Sequence, residues 1–163
     1  MARVDESHRL WNEARRHLER VDDWRWIVDD SGRLKGSVTL LVGFREDRAA
    51  ANLSLLRRRL EIPSDPPRPV TADGNELWEH FVMTFSVEPD CRRMGLGTLL
   101  QREAIRLSLE MGLWQLRSWS SVDKTANYEL KLKLGFSFSP GKQRGIPGGY
   151  FVRRLVWCPG SAE

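Results

Sequence analysis

Apolar residues recur along this chain with two different periods, and the changes of period mark its elements. Leu10, Ala14, Leu18 and Val21 share one side of a helix over residues 6–21, with Ser7 placed to cap it. Two apolar runs, 24–28 and 34–42, flank Asp29-Asp30-Ser31-Gly32, the turn chemistry of a β-hairpin. Over 44–76 the pattern is mixed: Ala49, Leu53, Leu56 and Leu60 predict a short helix and PSDPPRPVTADGN an irregular loop, so the segment reads as an insertion. The run LWEHFVMTFSV, residues 77–87, has the aromatic and β-branched content of a strand buried on both faces. After a glycine turn, Leu96, Leu99, Leu100, Ala104, Leu107 and Met111 recur at helical spacing until Gly112 stops the helix, and a strand follows over 113–119. Strand, helix and strand in this order form a βαβ unit, which a right-handed crossover makes parallel.

In the last third, Tyr128, Leu130, Leu132, Leu134, Phe136 and Phe138 alternate as in a strand. Ala126, Leu130 and Leu134 also share a helical face, with Gly135 placed as a C-cap, so periodicity leaves both forms open. Beyond Pro140 a glycine-rich stretch leads into the alternation of 150–156, a final edge strand or hairpin arm. With 163 residues, 40% of them hydrophobic, the chain 1–163 makes one domain. Charged residues are 29% and interspersed, which argues against disorder. A net charge of +4 and a pI near 9.4 favour an anionic partner. Cys91 and Cys158 lie far apart without CxxC spacing, so neither a disulfide framework nor a zinc site is expected, and a reducing, cytoplasmic setting fits. The charged first residues are not a secretory signal, and no window holds the ~18 apolar residues of a membrane span, so a soluble protein without a membrane partner is expected.

Chemistry concentrates at Arg92-Arg93-Met94-Gly95-Leu96-Gly97, R-x-x-G-x-G between a strand and a helix. Glycines at 95 and 97 let successive backbone N–H groups close on an anion. The helix start adds unpaired N–H groups and a positive dipole end, and Arg92, Arg93 and Thr98 supply further donors. The plainer alternative is a strand-to-helix turn that uses glycine for steric reasons. A triphosphatase loop is excluded by the absence of G-K-[ST], and a dinucleotide fold by the missing third glycine.

The stretch SVEPDCRRMGLGTLLQREAI resembles the acyl-coenzyme A signature of GNAT acyltransferases: a strand ending in V-x-P, then R-x-x-G-x-G and an amphipathic helix. KLKLGFSF resembles the same superfamily's later block, and GRLKGSVTL is similar to its early strands. The resemblance implies an α/β fold with a central, mostly antiparallel sheet, a splayed parallel strand pair and flanking helices. It implies N-acyl transfer from acetyl-CoA or another short acyl-CoA to a primary amine of a small molecule or protein, with no metal. Backbone groups of Phe85, Ser86 and Val87 would then bond pantetheine, Arg92 through Thr98 (Arg93, Met94, Gly95, Leu96 and Gly97 included) would hold the pyrophosphate, and Asn127 would contact pantetheine. The family's usual acid, a tyrosine four residues before the glycine, is here Lys131, with Tyr128 one turn earlier, so either is the candidate proton donor to the leaving thiolate. Glu79 is the candidate base, alternatively a strand-end carboxylate in solvent. The family's first strand and helix are not evident before Trp24, which leaves the acceptor site reduced or completed by a partner subunit in a homodimer.

His80 points away from Glu79 and reads as structural, while His8 and His17 have no ligand partners. Cys91 lies beside the turn without a base, and Arg57, Arg58 and Arg59 read as a solvated helix face. Trp24, Trp26, Trp78, Trp114 and Trp119 fall in predicted strands, as packing or as an aromatic acceptor pocket. A noncatalytic acyl-CoA-binding module is the competing function, and no nucleic-acid-binding signature is present.

Overall fold

The computed structural model describes residues 37–45 and 48–155. The opening helix, the first arm of the first hairpin, His8, His17, Trp24, Trp26 and Cys158 lie outside them. In chain order the strands are β1 (Ser37–Arg45), β2 (Arg48–Arg59), β3 (Glu61–Ile62), β4 (Arg68–Pro69), β5 (Thr71–Ala72), β6 (Asn75–Glu76) and β7 (Trp78–Val87). Helix α1 (Leu96–Glu110), β8 (Gln115–Ser121), helix α2 (Thr125–Lys133), β9 (Ser137–Gln143) and β10 (Ile146–Arg154) follow. Six strands form one sheet in the order β1-β2-β7-β8-β10-β9. Every neighbouring pair is antiparallel except β7 and β8, which the βαβ unit makes parallel.

The helix expected at Ala49, Leu53, Leu56 and Leu60 is instead β2, which lies inside the sheet between β1 and β7. Its residues 49–56 are buried on both faces, Asn52 and Ser54 included, so the strand lacks the in–out alternation that marks a half-buried strand. The first part of the supposed insertion is therefore sheet. The remainder folds into two small ribbons, β3 with β4 and β5 with β6. Arg57, Arg58 and Arg59 accordingly do not line a helix: Arg57 stacks on Trp78, Arg58 bonds Glu79, and Arg59 pairs with Glu61 and Glu76.

Helix α1 forms where expected and ends before Gly112, whose φ of 64° is left-handed. Its buried face is Leu100, Gln101, Ala104, Ile105 and Ser108, while Leu99 and Met111, expected in the apolar stripe, are exposed. The undecided segment divides, with α2 up to Lys133, a turn through Gly135 at φ 77°, and then β9. The last strand, β10, is a hairpin arm flanked by β8 and β9, not an edge.

One core lies between the sheet and the two helices, built on Leu53, Leu55, Val82, Leu100, Ala104, Leu116 and Phe151. A smaller cluster sits on the opposite sheet face, where Leu56 and Phe81 meet Val38, Met83 and Trp119. On the helix side His80 is buried, and its Nδ1 lies 2.7 Å from Ser108 Oγ. Because that hydroxyl donates to Ala104 O, it accepts from His80 Nδ1–H. Burial, then the charge of Arg57, lowers the His80 pKa to about 4, which keeps the ring neutral and fits the structural role expected of it.

Candidate functional site

Strands β7 and β8 pair only from Glu79↔Gln115 to Val82↔Ser118. Beyond that point β7 continues on β2, as far as Ala51↔Val87, and β8 continues on β10, as far as Ser121↔Gly148. The two strands are thus pulled apart by their outer neighbours. The register between β2 and β7 slips at the same level: Ser54 pairs with Thr84 and the next residue, Leu55, with Val82, which leaves Met83 as an extra residue. A bulge of this kind bends a strand and sharpens its twist.

An open cleft of about 1040 Å³ occupies the parting. It is lined by 82–87 of β7, by Cys91, Arg92, Arg93 and 95–98 of the turn and α1, by 118–121 of β8, and by Asn127, Leu130 and Lys131 of α2. The candidate cofactor residues Phe85, Ser86, Val87, Arg92, Arg93, Gly95, Leu96, Gly97, Thr98 and Asn127 therefore line one cleft. Met94 does not; it is exposed, with Arg45 near its sulfur.

The turn owes its shape to two positive φ values, 60° at Arg93 and 82° at Gly95, the residue that caps α1. No side chain caps that end, so the first N–H groups of α1 are left to a ligand or water. The two glycines act differently. Gly95 supplies the left-handed backbone, and a Cβ there would meet nothing within 4 Å. At Gly97 a Cβ would lie 3.1 Å from Phe85 Cζ and 3.5 Å from Val87 Cγ2, so this glycine seats α1 against β7. Arg92 Nε donates to Val87 O at 3.3 Å, and Arg48 bonds Asp90 and buried Cys91 behind the turn.

Glu79 is not in the cleft. Its side chain is 1% exposed, Oε1 accepts from Arg58 Nε at 2.9 Å and Arg117 Nη2 at 2.6 Å, and Oε2 accepts from Gln115 Nε2 at 2.7 Å. Strict alternation along an extended strand would put it on one face with Phe81, Met83 and Phe85. The bulge breaks that alternation, since Phe81 and Met83 cluster on the face away from the helices, whereas Phe85 packs with Val82 into the helix-side core. Tyr128 is also outside the cleft lining: its hydroxyl donates to Ser120 O at 3.1 Å and its ring packs on Phe138 and Phe151.

Lys131 lines the cleft although it is only 1% exposed. Among the described residues its Nζ has no hydrogen-bond partner, and it lies 5.0 Å from the Phe136 ring and 5.8 Å from that of Phe151. Burial lowers its pKa from 10.5 to about 7. Ser118 Oγ, Trp119 Nε1 and Asn127 Oδ1 are likewise buried, unpartnered and on residues of the cleft lining. Four such atoms on residues that line one cleft are unusual, because buried polar groups are normally satisfied. Sequence reasoning missed Ser118 and the indole N–H of Trp119. Their signal was the alternation of small polar and large residues in RSWSS, beside an anion turn.

No protein-family model matches the sequence. No curated protein matches it either. Among solved structures, the E. coli ribosomal-protein-S18-alanine N-acetyltransferase aligns over 99% of this chain and 97% of its own, at 14% identity and TM-score 0.60. The PaiA N-acetyltransferase of Thermoplasma acidophilum, in complex with coenzyme A, aligns over 89% of this chain and 69% of its own, at 14% identity and TM-score 0.54. A GNAT-family acetyltransferase of Streptococcus pneumoniae aligns over 72% and 66%, at 18% identity and TM-score 0.54, so this chain spans just under two thirds of that protein. At these identities the likeness is one of fold: the chain has the mixed α/β fold of GNAT acetyltransferases.

Proposed function

We propose that the protein is an N-acyltransferase that moves an acetyl or other short acyl group from acyl-coenzyme A to a primary amine of a small molecule or protein. The observation that carries this is the parting of β7 from β8 beyond Val82 and Ser118, which opens onto the uncapped start of α1. The residues fit the cosubstrate. Past Val82 the edge of β7 that faces β8 has no partner strand, so backbone groups of Phe85, Ser86 and Val87 on that edge are available to pantetheine amides. Asn127 Oδ1 is a buried acceptor without a donor, which an amide N–H would satisfy. The N–H groups from Gly95 to Thr98, the helix dipole and Arg92 and Arg93 suit a pyrophosphate.

Acyl-coenzyme A supplies the activated thioester that the amine attacks directly. Lys131 holds the proton for the leaving sulfur, since it is the ionisable residue of α2 that lines the cleft, whereas the Tyr128 hydroxyl is committed to Ser120 O. Glu79 is withdrawn from the role of base, and the amine proton leaves through water. That withdrawal also favours a second reading, a noncatalytic acyl-CoA-binding module, which turnover separates from the first. Among the described residues no helix is long and apolar enough to cross a membrane, and a cytoplasmic setting fits the cysteine usage.

Calorimetry with coenzyme A tests the assignment: micromolar binding is expected, and at a hundredfold excess over Kd about 2.7 kcal/mol of added stability. Neither heat nor a thermal shift at saturating ligand would sink it.

A further inference from the structure

The face of the sheet away from the helices carries a cluster of hydrogen-bond donors beside the cleft. Glu79, Phe81 and Met83 of β7, Leu56 and Arg58 of β2, and Arg117 and Trp119 of β8 share this face, as their pairing registers and the Leu56–Phe81 cluster require. The Glu79 carboxylate is spent: three N–H groups from Arg58, Arg117 and Gln115 occupy its two oxygens. The guanidiniums are not. Arg58 and Arg117 are 30% and 29% exposed, and both lie over the Phe81 ring, at 4.6 and 5.5 Å. Arg117 Nε is buried with no acceptor, and two residues along the same strand face so is Trp119 Nε1. The indole is held there by the absence of a side chain at Gly148, where a Cβ would come within 2.8 Å of Trp119 Cζ2 and 2.3 Å of Ser120 O.

Among the described residues, two positive charges against one negative leave the cluster cationic, and its unmet groups are all donors. Orphaned buried donors favour a ligand that brings oxygen acceptors. Trp119 also lines the cleft, so the group recognised here lies next to the reacting centre.

We infer that the amine acceptor also carries a carboxylate, an amino-acid-like substrate, which Trp119 Nε1–H and the free N–H groups of Arg117 and Arg58 receive. This rests on the acyltransferase reading above. A polycationic acceptor, such as a polyamine or a lysine-rich peptide, would meet two guanidiniums with no unpaired carboxylate among the described residues of this face to answer it, and is disfavoured.

The test is thiol release from acetyl-CoA with glycine, β-alanine and glutamate, beside their amides and spermidine. Hydrogen bonds to a charged group are worth about tenfold or more, so kcat/KM for the acids should exceed that for the amides by at least that factor. Trp119→Phe keeps the ring and removes the N–H, so it should raise KM for the acids several-fold while coenzyme A affinity holds. Equal rates for acids and amides, or a preference for spermidine, overturn the inference and leave the acyltransferase reading intact. In parallel, calorimetry on the protein saturated with coenzyme A compares N-acetylglutamate with its diamide. Preferential binding of the acid without any thiol release would sustain carboxylate recognition and refute catalysis. Neither thiol release nor binding of the acid refutes both.

Discussion

Replacing Lys131 with methionine should make the fold more stable and the protein inactive, and the stability gain should depend on pH. The amine is buried, unpartnered, and lowered by desolvation from 10.5 to about 7. Between those values the unfolded chain binds a proton that the folded protein does not, so wild-type stability rises with pH across the window. Below about 7 both states are protonated and the penalty is complete. At about 1.36 kcal/mol per pK unit the penalty is on the order of 5 kcal/mol at pH 6 and roughly 2 kcal/mol at pH 9. Methionine is close to isosteric with the lysine stem and removes this cost, and loss of the cation–π contacts with Phe136 and Phe151 gives back about 1 kcal/mol at low pH. Urea unfolding of both proteins at pH 6 and pH 9 measures the difference. With a genuine acceptor, kcat should fall by roughly 10²–10⁴-fold in the variant, and wild-type kcat should decline as pH rises above about 7 and the acid loses its proton. A variant less stable at both pH values, or a gain that does not shrink from pH 6 to pH 9, would refute the desolvated-amine argument.

Three further outcomes follow from the contacts. Tyr128→Phe removes one hydroxyl bonded to Ser120 O and should cost about 1 kcal/mol in urea unfolding, with kcat held; a loss as large as that of Lys131→Met would return the acid role to tyrosine. Glu79→Gln leaves Arg58 and Arg117 without their anion and should cost roughly 1–3 kcal/mol, while coenzyme A affinity by calorimetry stays within a few-fold. Gly97→Asp should abolish coenzyme A binding, because its side chain starts 3.1 Å from Phe85 and adds negative charge at the helix start; retained affinity would show that the pyrophosphate lies elsewhere.

Much of the second half of the fold was legible because each element carries its own punctuation. The strand at 78–87, the glycine turn, α1 and β8 follow one another with caps and breakers in place, and their parallel pairing follows from handedness. The segment at 48–59 was not legible, since RAAANLSLLRRR is, apart from Asn52 and Ser54, made of helix-favouring Ala, Leu and Arg whose burial is decided by β1 and β7 on either side. Tertiary pairing overrode local preference there, and misplacing that strand also hid the arginines that enclose Glu79.

The glycine turn of the candidate site was legible in the sequence and the placement of Glu79 was not, and the bulge at Met83 accounts for the difference. The turn from Arg92 to Thr98 is a local motif, so its glycines and arginines announce it in sequence. The roles of Glu79 and Phe85 depend instead on which face each occupies, and one extra residue between them reverses the relation that strict alternation predicts. Upstream of the bulge the odd-numbered residues turn from the helices, which takes Glu79 into the arginine cluster; downstream they turn toward α1, which brings Phe85 and Val87 under Gly97. The bulge falls where β7 leaves β8, so the irregularity that moves Glu79 out of reach of the cleft lies at the point where the cleft opens. The part of this strand that lines the cleft begins at Val82, and from there the chain carries Val82, Met83, Thr84, Phe85, Ser86 and Val87 and no acid.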